Sequence, residues 1–153
     1  MIDETTEDRK VKDSVIKYLK QLGHTVLDVT PGNMDVNSDL AYGVNKANNW
    51  GADLFISIHF NKAYNSYTDA IGTETCVYST TDNCNDEEYA QRIVNAIAGL
   101  GFKNRGVKTS EELYELKSTT MPSLIVKVCF VEAIEDVALY KKLGSDKIGK
   151  TIS

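Results

Sequence analysis

Residues 52–61 read Ala-Asp-Leu-Phe-Ile-Ser-Ile-His-Phe-Asn, and this run restricts the available folds more than any other part of the chain. Leu54, Phe55, Ile56 and Ile58 make a short run, rich in β-branched and aromatic residues, after the turn signal Gly51-Ala52-Asp53. Its length and composition predict a buried central strand rather than a helix. Ser57, His59 and Asn61 alternate along the run, so their side chains share one face. Ligands of open α/β sheets gather at the carboxyl ends of strands. A lone strand histidine is more often structural than functional, so the weight given to His59 depends on its neighbours.

The flanking sequence alternates helix and strand signals. Residues 5–22 have helical spacing, with Val11, Val15, Tyr18, Leu19 and Leu22 on one stripe and Gly23 as a stop. Asp3, Glu4, Glu7 and Asp8 crowd its first turns, where the helix dipole favours negative charge. Residues 24–30 read as a strand, with His24 at the end away from any site, and Pro31-Gly32-Asn33 as a turn. Ser38 can cap a helix over residues 39–49. Residues 62–71 form a polar loop whose Tyr64 and Tyr67 are suited to stacking on a sugar or peptide, or are ordinary loop tyrosines. A second strand follows at residues 72–78, a polar connection at 80–86, and a helix at 87–100. Residues 102–108 read as a loop presenting Arg105 and Lys108, and 118–122 as another. Leu124 to Val131 is a second strongly apolar strand, and two short helices split by Gly144 end the chain. The pattern predicts a single α/β domain over 1–153, a mixed, largely parallel sheet with helices on both faces.

A chain of 153 residues that is 42% apolar can bury a real core as one domain. A net charge of −5 argues against a nucleic-acid partner. No run is long enough for a membrane span. No charged-then-apolar leader is visible, which predicts synthesis in the cytoplasm without a signal peptide. Cys76, Cys84 and Cys129 contain no Cys-x-x-Cys pair, which disfavours a thiolate zinc site. A Cys76–Cys84 disulfide is conceivable, but small core residues or incidental thiols are the favoured reading. A flavodoxin-like binding domain is a lesser alternative, weakened by the lack of a Gly-rich phosphate loop.

Taken in order, Ser57-Ile58-His59-Phe60-Asn61, then Gly72-Thr73-Glu74-Thr75-Cys76-Val77-Tyr78, then Asn104-Arg105-Gly106-Val107-Lys108, then Leu113-Tyr114-Glu115-Leu116 resemble the zinc-dependent N-acetylmuramoyl-L-alanine amidases, the family 3 amidase domain of autolysins and phage endolysins. Each motif is weak alone, but the ordered set is quite specific, and the resemblance covers nearly the whole chain. It implies hydrolysis of the amide between muramic acid and the first L-alanine of the peptidoglycan stem peptide. It also implies zinc held by His, Glu and His, a catalytic Glu, and action on the cell wall after release or lysis. Glu4 and His59 match two of the metal positions, Asn61 and Glu74 match supporting residues, and Arg105 lies where an anionic wall substrate is expected.

Two departures qualify these expectations. The family's first strand and its His have no counterpart ahead of Glu4. At the catalytic Glu position, Ile125-Val126-Lys127-Val128-Cys129-Phe130 places Lys127, which repels a cation and is no base at neutral pH unless strongly shifted. Glu132 is the nearest substitute, although strand period sends it to the opposite face. The expectation is therefore an impaired amidase. The alternatives are a non-catalytic wall-binding or regulatory module, or a domain completed by a dimer partner or by a strand from another chain.

Overall fold

The structure, a computed structural model, describes residues 2–31, 36–64, 68–79 and 85–153, with only the backbone of 36–38. The turn read at Gly32-Asn33, Tyr67, Cys84 and most of the 80–86 connection lie outside the described residues. Among the described residues ten elements follow in order. Helix α1 is Glu4–Gln21, α2 Val36–Trp50, β1 Phe55–Asn61, β2 Thr73–Val77 and α3 Asp86–Ala98. Strand β3 is Asn104–Thr109, α4 Tyr114–Lys117, β4 Ser123–Phe130, α5 Ile134–Leu143 and α6 Ser145–Ile152.

The four strands form one sheet in the order β1-β4-β2-β3. β1 and β4 run parallel, β2 and β3 run parallel, and β2 meets β4 antiparallel, so the sheet is mixed and mostly parallel as expected. β4 alternates cleanly. Leu124, Val126 and Val128 are fully buried against α1, α3 and α6, alongside Val11, Ile97 and Ile148. On the other face Ile125 packs with Cys76 and Leu116 of α4. Asn48 of α2 closes that side, donating to the Ser118 carbonyl at 2.9 Å and accepting the Thr120 N–H at 2.9 Å.

Helix α1 crosses the last helix closely. Gly149 of α6 sits where any Cβ would overlap the Ser14 side chain and approach the Val11 carbonyl at 3.0 Å. Asp146 at the start of α6 accepts from Lys17 at 2.5 Å, Tyr18 at 2.5 Å and Ser14 at 3.2 Å. The C-terminal helix thereby fixes the helix that begins at Glu4.

Several expectations are corrected here. β1 is an edge strand and not a central one, because β4 and β2 occupy the middle of the sheet. Residues 24–31 pair in no ladder among the described residues, although their sequence is strand-like. Residues 104–109 form an exposed edge strand rather than a loop. Helix α2 begins at Val36, so Ser38 lies within it and is no cap. No helix among the described residues is long and apolar enough to cross a membrane.

Candidate active site

The carboxyl end of β1 gathers the titratable side chains. Parallel pairing sets His59 opposite Lys127, and antiparallel pairing sets Lys127 opposite Glu74. Residues directly opposite share a face, so three neighbouring strands carry His59, Lys127 and Glu74 in one row. The register slips between His59 and Asn61. Asn61 still reaches that side and donates to Glu74 Oε1 at 2.6 Å. Glu74 is only 7% exposed, and Arg105 Nε lies 3.5 Å from its Oε1. The Arg105 guanidinium also covers the Phe130 ring at 5.2 Å, so this arginine is tied to the sheet.

His59 is held from both sides of its ring. Nε2 lies 2.8 Å from Ser57 Oγ and 3.2 Å from Glu115 Oε1, and Ser57 Oγ donates to the same carboxylate oxygen at 3.1 Å. These partners favour a proton on Nε2, which leaves Nδ1 directed at Glu4 Oε1, 3.7 Å away. Burial pulls the His59 pKa down, but the Glu115 and Glu4 carboxylates outweigh it and raise it to about 9.

Glu4 and Asp8 are one turn apart at the start of α1, so they project from one helix face. Ligand atoms of Glu4, Asp8 and His59 all lie within 4.8 Å of one another. Burial, only partly countered by His59, pushes the Asp8 carboxyl up to about 6. One imidazole and two carboxylates converging at this spacing are a donor set that suits a divalent cation.

Two residues of this cluster had escaped the sequence reading. Asp8 carried a signal, since its i+4 spacing from Glu4 marks a shared face. Glu115 stood in one of the motifs that carry the resemblance, but its contact with His59 was not readable, because only the fold brings α4 against β1. The remaining candidates are placed elsewhere. Glu132 lies beyond β4, buried, and accepts the Ala63 and Tyr64 N–H groups at 2.7 and 3.0 Å, so it anchors the loop after β1. His24 is exposed and outside the cluster. Lys108 is exposed on β3, and Tyr64 is exposed in its loop. Cys76 and Cys129 are buried free thiols.

The family model for N-acetylmuramoyl-L-alanine amidases matches residues 1–153. The chain belongs to the N-acetylmuramoyl-L-alanine amidase family. An uncharacterized protein of Clostridium perfringens is 53% identical over 154 residues, covering 100% of this chain and 45% of that relative. The N-acetylmuramoyl-L-alanine amidase LytC of Bacillus subtilis is 34% identical over 128 residues, covering 82% of this chain and 25% of LytC. The amidase-family domain thus spans less than half the length of either relative. Among solved structures, the catalytic domain of the CD27L endolysin targeting Clostridia Difficile superposes with a TM-score of 0.87 at 28% identity. That match covers 99% of this chain and 81% of the endolysin domain. The mixed α/β sheet described above is therefore the fold of amidase catalytic domains.

Proposed function

We propose that this amidase-family domain hydrolyses the N-acetylmuramoyl–L-alanine amide of peptidoglycan using a zinc ion held by Glu4, Asp8 and His59, and that Lys127 impairs it. The observation carrying the reading is the convergence of those three side chains at the end of β1, in a chain of this family. Zinc supplies Lewis acidity when bound, polarising the scissile carbonyl and acidifying a water. Glu115 accepts the Nε2 proton and fixes the imidazole, with Ser57 bridging the two. Glu74 holds Asn61 and Arg105 beside the cleft, where Arg105 can meet an anionic wall substrate. Lys127 stands between His59 and Glu74. A charged ammonium there offers no proton acceptor to the attacking water and disfavours a neighbouring cation.

Placing Lys127 in that row also favours a second reading, a wall-binding module that keeps the cleft without the reaction. The deciding experiment is zinc stoichiometry by elemental analysis, before and after a chelator wash, followed by amide release from purified walls for the natural chain and for Lys127→Glu. About one zinc per chain and a gain of activity in Lys127→Glu support the impaired amidase. A folded chain that holds no zinc overturns it and leaves wall binding as the function to measure.

A further inference from the structure

Every residue of β4 except Lys127 is buried. Lys127 stands between His59 and Glu74 in the row that crosses β1, β4 and β2. Burial pushes the Cys76 thiol pKa up, and Lys127 is the first of the charges that oppose that rise. The ammonium therefore lies over the face that carries Glu74 and Cys76. The Lys127 carbonyl accepts from Thr73 Oγ1 at 3.2 Å, but its Nζ makes no hydrogen bond or ion pair among the described residues. Nearby acceptors are committed elsewhere. Glu74 Oε1 accepts from Asn61 at 2.6 Å and lies 3.5 Å from Arg105. Glu115 Oε1 accepts from Ser57 at 3.1 Å and lies 3.2 Å from His59 Nε2.

A half-buried charge without a partner is costly, so an anion is the ligand that completes this part of the cleft. Its chemistry follows from its place beside His59. In an amide-hydrolysing site the scissile carbonyl lies next to the metal ligands. Water adds across the C–N bond, leaving a carboxylate on the acyl fragment and an ammonium on the amine fragment. The intact amide is neutral and offers Lys127 only a carbonyl oxygen. The carboxylate offers a full opposite charge, whose attraction grows where water is excluded. A compact ammonium suits a single carboxylate as a point charge.

We propose that Lys127 is a carboxylate-binding residue, and that the cleft retains peptide-free muramoyl glycan, through its lactyl carboxylate, in preference to the intact muramoyl-peptide. The side chain that removes the proton acceptor from the row thereby gives the cleft a new ligand. That ligand is the product of amide hydrolysis, so an enzyme that strips stem peptides from the glycan must act first. The inference rests on the proposed reading of the cleft as a muramoyl site and adds which form of the glycan the site holds.

The test is calorimetric titration of the 153-residue chain with three glycan preparations, with zinc supplied and again after a chelator wash. The first is glycan strands stripped of peptide. The second is the same strands with their lactyl carboxylates converted to neutral methylamides, and the third is intact peptidyl strands. Stripped strands are expected to bind about tenfold more tightly than either of the others. Lys127→Met is expected to abolish the preference over the methylamide strands, Lys127→Arg to keep it, and Lys127→Glu to reverse it. Lys127→Gln serves as the second variant if circular dichroism shows that Lys127→Met misfolds. Three results overturn the proposal and leave the muramoyl cleft standing. Stripped and methylamide strands bind equally, or intact strands bind more tightly than stripped ones, or the preference survives in Lys127→Met. Failure of all three preparations to bind overturns the muramoyl reading itself and this proposal with it. Amide release enters none of these readouts, so the absence of hydrolysis does not decide the outcome.

Discussion

His59 sits between carboxylates on both sides of its ring, and that arrangement has a pH consequence. Its pKa in the folded chain is raised to about 9 from 6.5, with burial opposed and outweighed by Glu115 and Glu4. A raised folded pKa means stability that is fully present below about 6.5 and lost as pH climbs through about 9. A metal must displace the same proton from the ring. Zinc affinity is therefore expected to rise with pH across that window, by up to about tenfold per unit, as measured by chelator competition. A flat profile would remove His59 from the ligand set. Glu115→Gln is expected to lower zinc affinity about 10–100-fold through loss of the ring's orienting partner, with the fold intact by circular dichroism. Asp8→Asn should lose more, since a direct donor disappears. The thiols give a simpler expectation. Burial raises the pKa of both Cys76 and Cys129, so mass spectrometry after iodoacetamide should find them alkylated only once the chain is unfolded. At this scale strand alternation set Ser57 and His59 on one face, whereas Glu74 was named only through the family resemblance and the register slip before Asn61 was not readable. The contact of Glu115 with His59 was not readable, because no local pattern encodes a meeting of α4 and β1.

Among the elements, β4 and the α1–α6 crossing hold the site in place. Leu124 is fully buried in β4, so Leu124→Ala is expected to cost about 2–5 kcal/mol in urea unfolding. Gly149→Ala should separate α6 from Ser14 and loosen α1, lowering stability and zinc affinity together, because Glu4 and Asp8 ride on that helix. A Gly149→Ala protein with unchanged metal binding would mean that the N-terminal end of α1 is fixed by its other contacts, such as the Tyr140 Oη donation to Glu7 at 2.8 Å. Long amphipathic helices and apolar strands were readable, since burial demands their periodicity. β3 was not: Asn104-Arg105-Gly106 is polar and holds a glycine at φ +77°, and only an edge position tolerates it. The edge position of β1 and the unpaired state of 24–30 escaped for a related reason. Sequence reports whether a segment can pair, while sheet order depends on which partners are at hand.

The whole domain carries a net charge of −5. Repulsion from an anionic wall polymer is therefore expected to weaken association at low ionic strength. Pull-down with purified walls should improve as salt rises to about 0.15 M, where charges more than about 8 Å apart are screened. Falling association over the same range would assign binding to a local basic contact, with Arg105 the first residue to test. The row of His59, Lys127 and Glu74 across three strands has an evolutionary consequence as well. Lysine and glutamate codons differ by one transition, so the ammonium at residue 127 is a single base change from a carboxylate. A carboxylate there would face the nearly buried Glu74 across the strand pair. On the proposed reading, a single base change places a carboxylate beside Glu74, so the substitution at residue 127 is open to reversal in one mutational step.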